Sequence, residues 1–297
     1  MSLSATTRAH WQIHFCVLLW GFTAILGKLI SLPALGLVVW RMLLVTLTLA
    51  LLPRVWRGLA RLPRRTLAIF SGIGVIVALH WLTFYGAIKL ANASVAATCI
   101  ALAPVFLALV EPLLTRKRFE PRELMLGIAV VPGVALVVGG VPEGMRLGVA
   151  VGALSAFLVA IFGSLNKRYI EHADPLTVTA LELGAGALFL FLLGLALPML
   201  GDPLPLPSVN DAGLLVLLAL VCTLLPFALS LVALRHLSAY SAQLAINLEP
   251  VYAILLAIPL LGEQRELSPQ FYVGVAIILL AVIVHPWTRR PDPPLPA

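Results

Sequence analysis

Ile100-Ala101-Leu102-Ala103-Pro104-Val105 returns 146 residues later as Ile246-Asn247-Leu248-Glu249-Pro250-Val251, and this pair of hexapeptides decides the fold. Extended outward without a gap, residues 67–114 laid over 213–260 coincide at eleven positions, from Val75/Val221 to Leu114/Leu260. A chain this rich in Leu, Ala and Val gives about four such coincidences by chance. The sequence is therefore a tandem duplication, and the unit that is duplicated is apolar throughout.

With 61% hydrophobic residues, 11% charged residues and a mean hydropathy of +1.05 over 297 residues, the chain is too apolar for a soluble domain. A membrane span needs about 20 apolar residues to cross roughly 30 Å of hydrocarbon. Ten such stretches are legible, at 12–30, 35–53, 67–90, 93–114, 123–141, 147–166, 176–199, 213–234, 238–261 and 270–287. The expected fold is an all-α membrane protein of ten transmembrane helices. Residues 1–11 form a cytoplasmic N-terminal segment, 12–141 repeat one, 147–287 repeat two, and 288–297 a proline-rich disordered tail. Five spans is an odd number, so the second repeat starts from the opposite side of the bilayer. Inverted repeats of this kind build many secondary transporters.

The net charge of +7 follows the same topology. Fifteen basic residues, including Arg54, Arg57, Arg61, Arg64, Arg65, Arg116, Lys117 and Arg118, fall on one side of a ten-span arrangement. Only Lys28, Lys89, Arg146 and Arg265 fall on the other, and Arg41 lies inside a span. The positive-inside rule puts both termini in the cytoplasm and removes any need for a nucleic-acid partner. Equivalent loops carry opposite character: the Arg54–Thr66 loop has five arginines, whereas 201–211 has two aspartates and no base. Arg116-Lys117-Arg118 likewise corresponds to Gly262-Glu263-Gln264.

Cys16, Cys99 and Cys222 all fall inside spans and six histidines are dispersed, so no metal-ligand spacing, disulfide framework or catalytic cluster is visible. The first apolar stretch has no small-residue cleavage site and reads as a retained helix. No phosphate-binding Gly-rich loop with Lys-Ser/Thr occurs, so ATP is not the direct energy source and no cofactor is expected. Proline interrupts four spans, at Pro104, Pro132, Pro226 and Pro250. Pro104 and Pro250 are repeat-related, and a symmetric pair of helix breaks is where a pivot or binding site belongs.

Trp20-Gly21, Lys28, Arg41, Asn247-Leu248-Glu249-Pro250-Val251, Leu261-Gly262-Glu263 and Gly274 occur in this order within the duplicated frame. On these residues the chain resembles the drug/metabolite transporter superfamily, in its EamA-type group of two five-helix repeats. The resemblance implies transport without enzymatic activity. Its substrates include amino acids, other metabolites, sugar phosphates, nucleotide-sugars and choline. Repeat one has Arg116-Lys117 where repeat two has Gly262-Glu263, so any role of that carboxylate passes to Glu263 alone.

Ionisable groups deep in a bilayer are costly and are functional candidates by default. Glu249 precedes the symmetric proline; it either holds a substrate amine, carries a coupling proton or caps backbone donors freed by the break. Asn247 and Tyr252 join Glu249 as candidates for the cavity wall, although Ala242, Ile246, Glu249 and Tyr252 share one helix face and Tyr240, Gln243 and Asn247 nearly the opposite one, so that both faces cannot line one narrow cavity. His80, Trp81, Phe84 and Tyr85 form an aromatic patch at i,i+4 spacing, and Trp20 is deep enough to close the same chamber; such a surface stacks on an aromatic or cationic solute. Arg41 and Glu182 read as gating or coupling groups, or alternatively as fixed bundle contacts. The sequence thus predicts a monomeric, multi-pass inner-membrane transporter that exports or exchanges small metabolites such as amino acids. A proton or sodium gradient is the candidate driving force. A flippase or carrier for lipid-linked or nucleotide-type substrates, or a choline or amine uptake carrier, is the alternative.

Overall fold

A computed structural model describes residues 4–115, 119, 121–246 and 248–284. Asn247, the Arg116-Lys117-Arg118 run and the 288–297 tail lie outside the described residues. The first repeat supplies α1 (Ala5–Leu29), α2 (Ala34–Ala50), α3 (Pro53–Arg61), α4 (Arg64–Leu90), α5 (Ala93–Ile100), α6 (Ala103–Thr115) and α7 (Pro121–Gly140). The second supplies α8 (Arg146–Tyr169), α9 (Pro175–Ala196), α10 (Val209–Val216), a π-helical stretch Leu217–Leu224, α11 (Leu225–Leu234), α12 (Ala239–Ile246), α13 (Glu249–Leu261) and α14 (Pro269–Val284). Among the described residues there is no strand.

Local chemistry sets the starts. Ser4, Asn92, Asp174 and Ser208 each accept a backbone N–H of the first turn, at the N-termini of α1, α5, α9 and α10. Pro53 and Pro175 sit at first helical positions, where a missing N–H costs nothing. By length and composition, six helical segments among the described residues can cross a membrane, or seven if α2 and α3 count together. Ala129–Gly140, Glu249–Leu261 and Pro269–Ala281 are shorter apolar helices within three of the remaining expected spans.

Two expectations change in detail. The Arg54–Thr66 segment is not a simple loop: α3 occupies most of it, bent by 93° from α2. Pro53 starts this new helix, and its arginines keep it out of the apolar layer, as in an interfacial helix. The stretches 93–114 and 238–261 are each two helices instead of one. Their breaks, at Ala101-Leu102 and just before Glu249, stand next to Pro104 and Pro250. Proline lacks the donor that would bond four residues back, so the helix is interrupted on its N-terminal side.

The repeats interlock instead of sitting side by side. α1 packs on α11 and α13, α2 on α9, and α4 on both α8 and α9, while α7 pairs with α14. Contacts at one end of the bundle are basic: Arg54 pairs with Asp174, Lys167 Nζ donates to the Leu234 carbonyl at 2.7 Å, and Arg235 Nη2 to that of Ala173 at 2.6 Å. The other end is closed by carboxylates. Glu263, only 1% exposed, accepts from the backbone N–H of Ala93 at 2.9 Å and of Ser94 at 2.8 Å, and Asn92 Nδ2 donates to Glu266 at 3.0 Å. Asp211 accepts from the Ser31 backbone and hydroxyl at 2.9 and 2.6 Å.

Glu263 therefore fills free donors of an α5 helix start from the other repeat. It follows Gly262, whose φ of +70° ends α13 in the left-handed conformation that glycine adopts without strain. Hydrogen bonds to a charged acceptor contribute about 1.5–3 kcal/mol each. Glu263→Gln keeps the shape but only one acceptor oxygen, and is expected to lower stability by about 2 kcal/mol. Thermal unfolding in detergent measures this, and an unchanged midpoint would refute a stabilising latch.

Candidate functional site

A chamber of about 110 Å3 lies where the broken spans meet α1, α4, α8 and α11. Its wall is mainly apolar, with Trp20, Trp81, Phe84, Phe162 and Phe227 among the lining side chains. The polar groups on it are Thr23, Arg41, His80, Asn166, Ser230 and Glu249. α8 and α11 contribute mostly their second halves, so the chamber sits toward the basic end of the bundle. The Glu263 and Asp211 contacts lie at the opposite end.

Arg41 is 2% exposed and held from three sides. Its Nε donates to Thr223 Oγ1 at 2.5 Å, Nη1 donates to Tyr85 Oη at 2.8 Å, and the guanidinium carbon lies 3.8 Å from the Trp81 ring centroid. Cation–π contacts of desolvated groups contribute about 2 kcal/mol or more. Thr223 is available because the helix there is π-helical: its hydroxyl donates to the Leu218 carbonyl, five residues back, at 2.6 Å. Pro226, which cannot donate to the preceding turn, follows directly, and π-bulges of this kind often stand at functional sites.

His80 is fixed as firmly. Ser155 Oγ lies 2.8 Å from its Nδ1, and its ring sits 5.3 Å from Phe162 and 6.2 Å from Phe84, centroid to centroid. The Trp81 ring meets Phe227 edge-on at 6.0 Å. Glu249, 8% exposed, is the first residue of α13. No side-chain cap hydrogen bond is made at this helix start, and the Glu249 side chain faces the chamber. No ion pair within 4.0 Å joins it to Arg41.

The structure brings together Trp20, Arg41, His80, Trp81, Phe84 and Glu249 on one wall. It places the Ala242, Ile246 and Glu249 face of the broken span toward the chamber. Tyr252, on the same predicted face, does not line it: beyond the break it packs on Gly21 of α1 and is 37% exposed. Tyr85 stands behind Arg41, fully buried, and acts on the chamber through that guanidinium. Pro104 and Pro250 are buried at the breaks and do not line the cavity. Glu182 on α9 is 0% exposed and lies just behind the wall, where Asn166 Nδ2 donates to its Oε2 at 3.3 Å. Asn166, Thr223 and Phe162 were not singled out by sequence. Asn166 precedes Lys167-Arg168 and read as the end of a span, although an amide at a helix end inside an apolar run was the available signal.

Comparison with known proteins covers most of the chain. The profile of the EamA-like transporter family matches residues 8–139 and, a second time, residues 146–285. A protein known from a crystal structure aligns over 96% of this chain and 98% of its own, at 18% identity and a TM-score of 0.65, a likeness of fold. No curated protein matches in sequence.

Because Tyr85 and Thr223 orient Arg41 within a dry wall, removing either hydroxyl leaves a guanidinium donor without its acceptor. Tyr85→Phe is expected to cost about 1–3 kcal/mol of stability in a detergent melt, far more than an exposed Tyr→Phe. A melt indistinguishable from the parent would show that the phenol does not hold Arg41.

Proposed function

The chain belongs to the EamA-like transporter family, and we propose that it is a secondary transporter of small metabolites such as amino acids, an exporter or exchanger. It works by alternating access around the chamber between its two repeats. The observation that supports this reading is the placement of Arg41 and Glu249 on one apolar, aromatic wall without an ion pair between them. A zwitterion supplies what each lacks. Its carboxylate accepts from the guanidinium, its ammonium donates to Glu249, and its side chain lies against Trp20, Trp81 and Phe84. The volume of about 110 Å3 is below the roughly 300–1,000 Å3 of pockets for drug-sized ligands, which favours a small metabolite over a lipid-linked or nucleotide-type substrate.

The closed carboxylate end and the chamber near the basic end correspond to one half of an alternating cycle. With the basic end cytoplasmic under the positive-inside rule, this is the inward-facing half. Ten spans with both termini cytoplasmic, residence in the inner membrane and a monomeric state complete the proposal. Each chain encloses a chamber of its own, so a second copy is not needed to form the site.

Purified protein in liposomes, preloaded with unlabelled L-phenylalanine, L-leucine or L-threonine, is expected to accumulate the same labelled amino acid by counterflow. Glu249→Gln preserves shape and removes the charge facing the ammonium, and is expected to lower the rate more than tenfold, the scale of one lost charge-assisted bond. Counterflow of none of the three, or Glu249→Gln transport at the parental rate, would overturn the zwitterion reading.

A further inference from the structure

Glu182 and Asn166 form an unusual pair. Both are buried, at 0% and 2% exposure, and they share the single bond from Asn166 Nδ2 to Glu182 Oε2. Each keeps one further polar atom, the second carboxylate oxygen Oε1 of Glu182 and the amide oxygen Oδ1 of Asn166, that is also buried and has no hydrogen-bond partner. Two adjacent groups are thus left with two acceptors and no donor. An isolated ionised carboxylate in an apolar medium is too costly to persist, and an unfilled buried acceptor costs about 1–3 kcal/mol. One proton on Glu182 removes both defects: the charge disappears, and the carboxyl gains an O–H to donate to the amide oxygen beside it.

No charged neighbour offers another solution. α9 packs against α2, α3, α4 and α11, and Asn166 reaches it from α8. Arg41 on α2 is engaged by Tyr85 and Thr223, His80 on α4 by Ser155, and Lys89 at the far end of α4 by the Ile30 carbonyl. Arg54 on α3 pairs with Asp174, Arg57 is bonded to its own helix, and Lys167 and Arg168 on α8 reach the Leu234 and Leu114 carbonyls. Arg61, Arg64 and Arg65 lie at the α3–α4 turn, and α11 carries no ionisable side chain. None of these makes an ion pair with Glu182.

The packing also keeps water out. At Gly74 α4 meets the backbone of Glu182 so closely that a Cβ would strike its carbonyl, and a Cβ at Gly186 would lie 2.7 Å from the Gly74 carbonyl. Yet Asn166, the only hydrogen-bond partner of Glu182 among the described residues, is itself part of the chamber wall. The carboxyl is therefore packed away from the chamber but only one side chain removed from it.

We propose that Glu182 is the coupling-proton site of this transporter, with Asn166 as the group that connects it to the substrate chamber. The proposal rests on the transport reading above. In the conformation described, the carboxyl is protonated. When the α4–α9 contact loosens and water reaches it, the proton passes from Glu182 to that water, and the carboxylate remains held by Asn166 Nδ2. Substrate movement that changes this contact thereby moves a proton.

The site is tested first without any substrate. Infrared spectra of the full-length protein in bilayers at neutral pH are expected to show a protonated-carboxyl C=O band that Glu182→Gln removes and Asn166→Leu shifts. Glu249→Gln, recorded alongside, identifies any band due to Glu249. An unchanged carboxyl region in Glu182→Gln would overturn the proposal. If Glu182→Gln fails to fold, Glu182→Asp decides instead: it must keep a shifted band, and a spectrum equal to that of the parent refutes the assignment.

The second measurement uses L-phenylalanine and a pH-sensitive dye trapped in liposomes. The parent is expected to move protons with phenylalanine, and in Glu182→Gln the proton-to-phenylalanine ratio is expected to fall to zero, whatever rate of phenylalanine movement remains. A retained ratio overturns coupling at Glu182. If phenylalanine moves in neither protein, the amino-acid reading loses support while the infrared result still decides the proton site.

Discussion

In hydrocarbon a backbone N–H or C=O has no water to turn to, so a helix that stops inside the membrane must stop where something else fills its ends. Pro104 and Pro250 impose two such stops, because neither can donate to the turn before it. The rest of the site depends on this. The second break makes Glu249 the first residue of α13, facing the chamber. Glu182 lies within α9, away from either end. The two buried glutamates of this chain thus differ in their neighbours: Glu182 has a neutral amide behind the wall, and Glu249 stands at the break on the chamber itself.

The duplication is symmetric in backbone and asymmetric in chemistry. α5 and α12 are repeat equivalents, and each starts from a polar cap: Asn92 accepts from the Val95 N–H, and Ser238 from the Ser241 N–H at 3.0 Å. Beyond that they part. The α5 start also receives the Glu263 carboxylate, whereas the position equivalent to Glu263 in the first repeat is Lys117, which cannot accept from a helix N-terminus. One end of the bundle therefore closes by carboxylates on backbone donors. The basic end is tied by Lys167 and Arg235 on helix-end carbonyls, the pairing that the negative end of a helix prefers. The ends are not wholly distinct, since Lys89 bonds the Ile30 carbonyl at the carboxylate end as Lys167 bonds the Leu234 carbonyl at the other, but among the described residues only the former end also seats carboxylates on backbone N–H groups of the opposite repeat.

Much of this architecture was legible in residues close together in sequence. The repeated hexapeptide located both helix breaks, and the arginine-rich and aspartate-bearing loops separated the two ends. What stayed hidden was set by distant partners. Arg41 was recognisable as a deep charge, but Thr223 and Tyr85, which hold it, are 182 and 44 residues away. Thr223 serves only because the helix widens to π geometry, which a helical wheel of 100° per residue does not describe. Tyr85 shares its aromatic patch with Trp81, and nothing local says that one turns into the chamber and the other behind a guanidinium. The same wheel grouped Tyr252 with Glu249, but the break between α12 and α13 changes the register across it. α3 read as a loop because its arginines ended the apolar run, although charge excludes a segment from hydrocarbon without preventing it from being helical.

The separation of Arg41 and Glu249 is itself an energetic statement. Opposite charges buried in one cavity gain most by pairing directly, and a pair so formed satisfies itself and offers little to a ligand. Here the guanidinium is instead held by neutral groups, two hydroxyls and an indole face, while the Glu249 carboxylate stands at the start of α13, where no side-chain cap hydrogen bond is made. Both residues face the chamber with bonding capacity to spare. A solute with one charge would satisfy one and leave the other as it was. A solute with both charges completes the two sites at once, and it does so only while bound, so the gain belongs to the loaded chamber and not to the empty one. On the proposed reading, selectivity for zwitterions would follow from the separation of the two residues, and the apolar wall would make each bond formed across the chamber stronger than it would be in water.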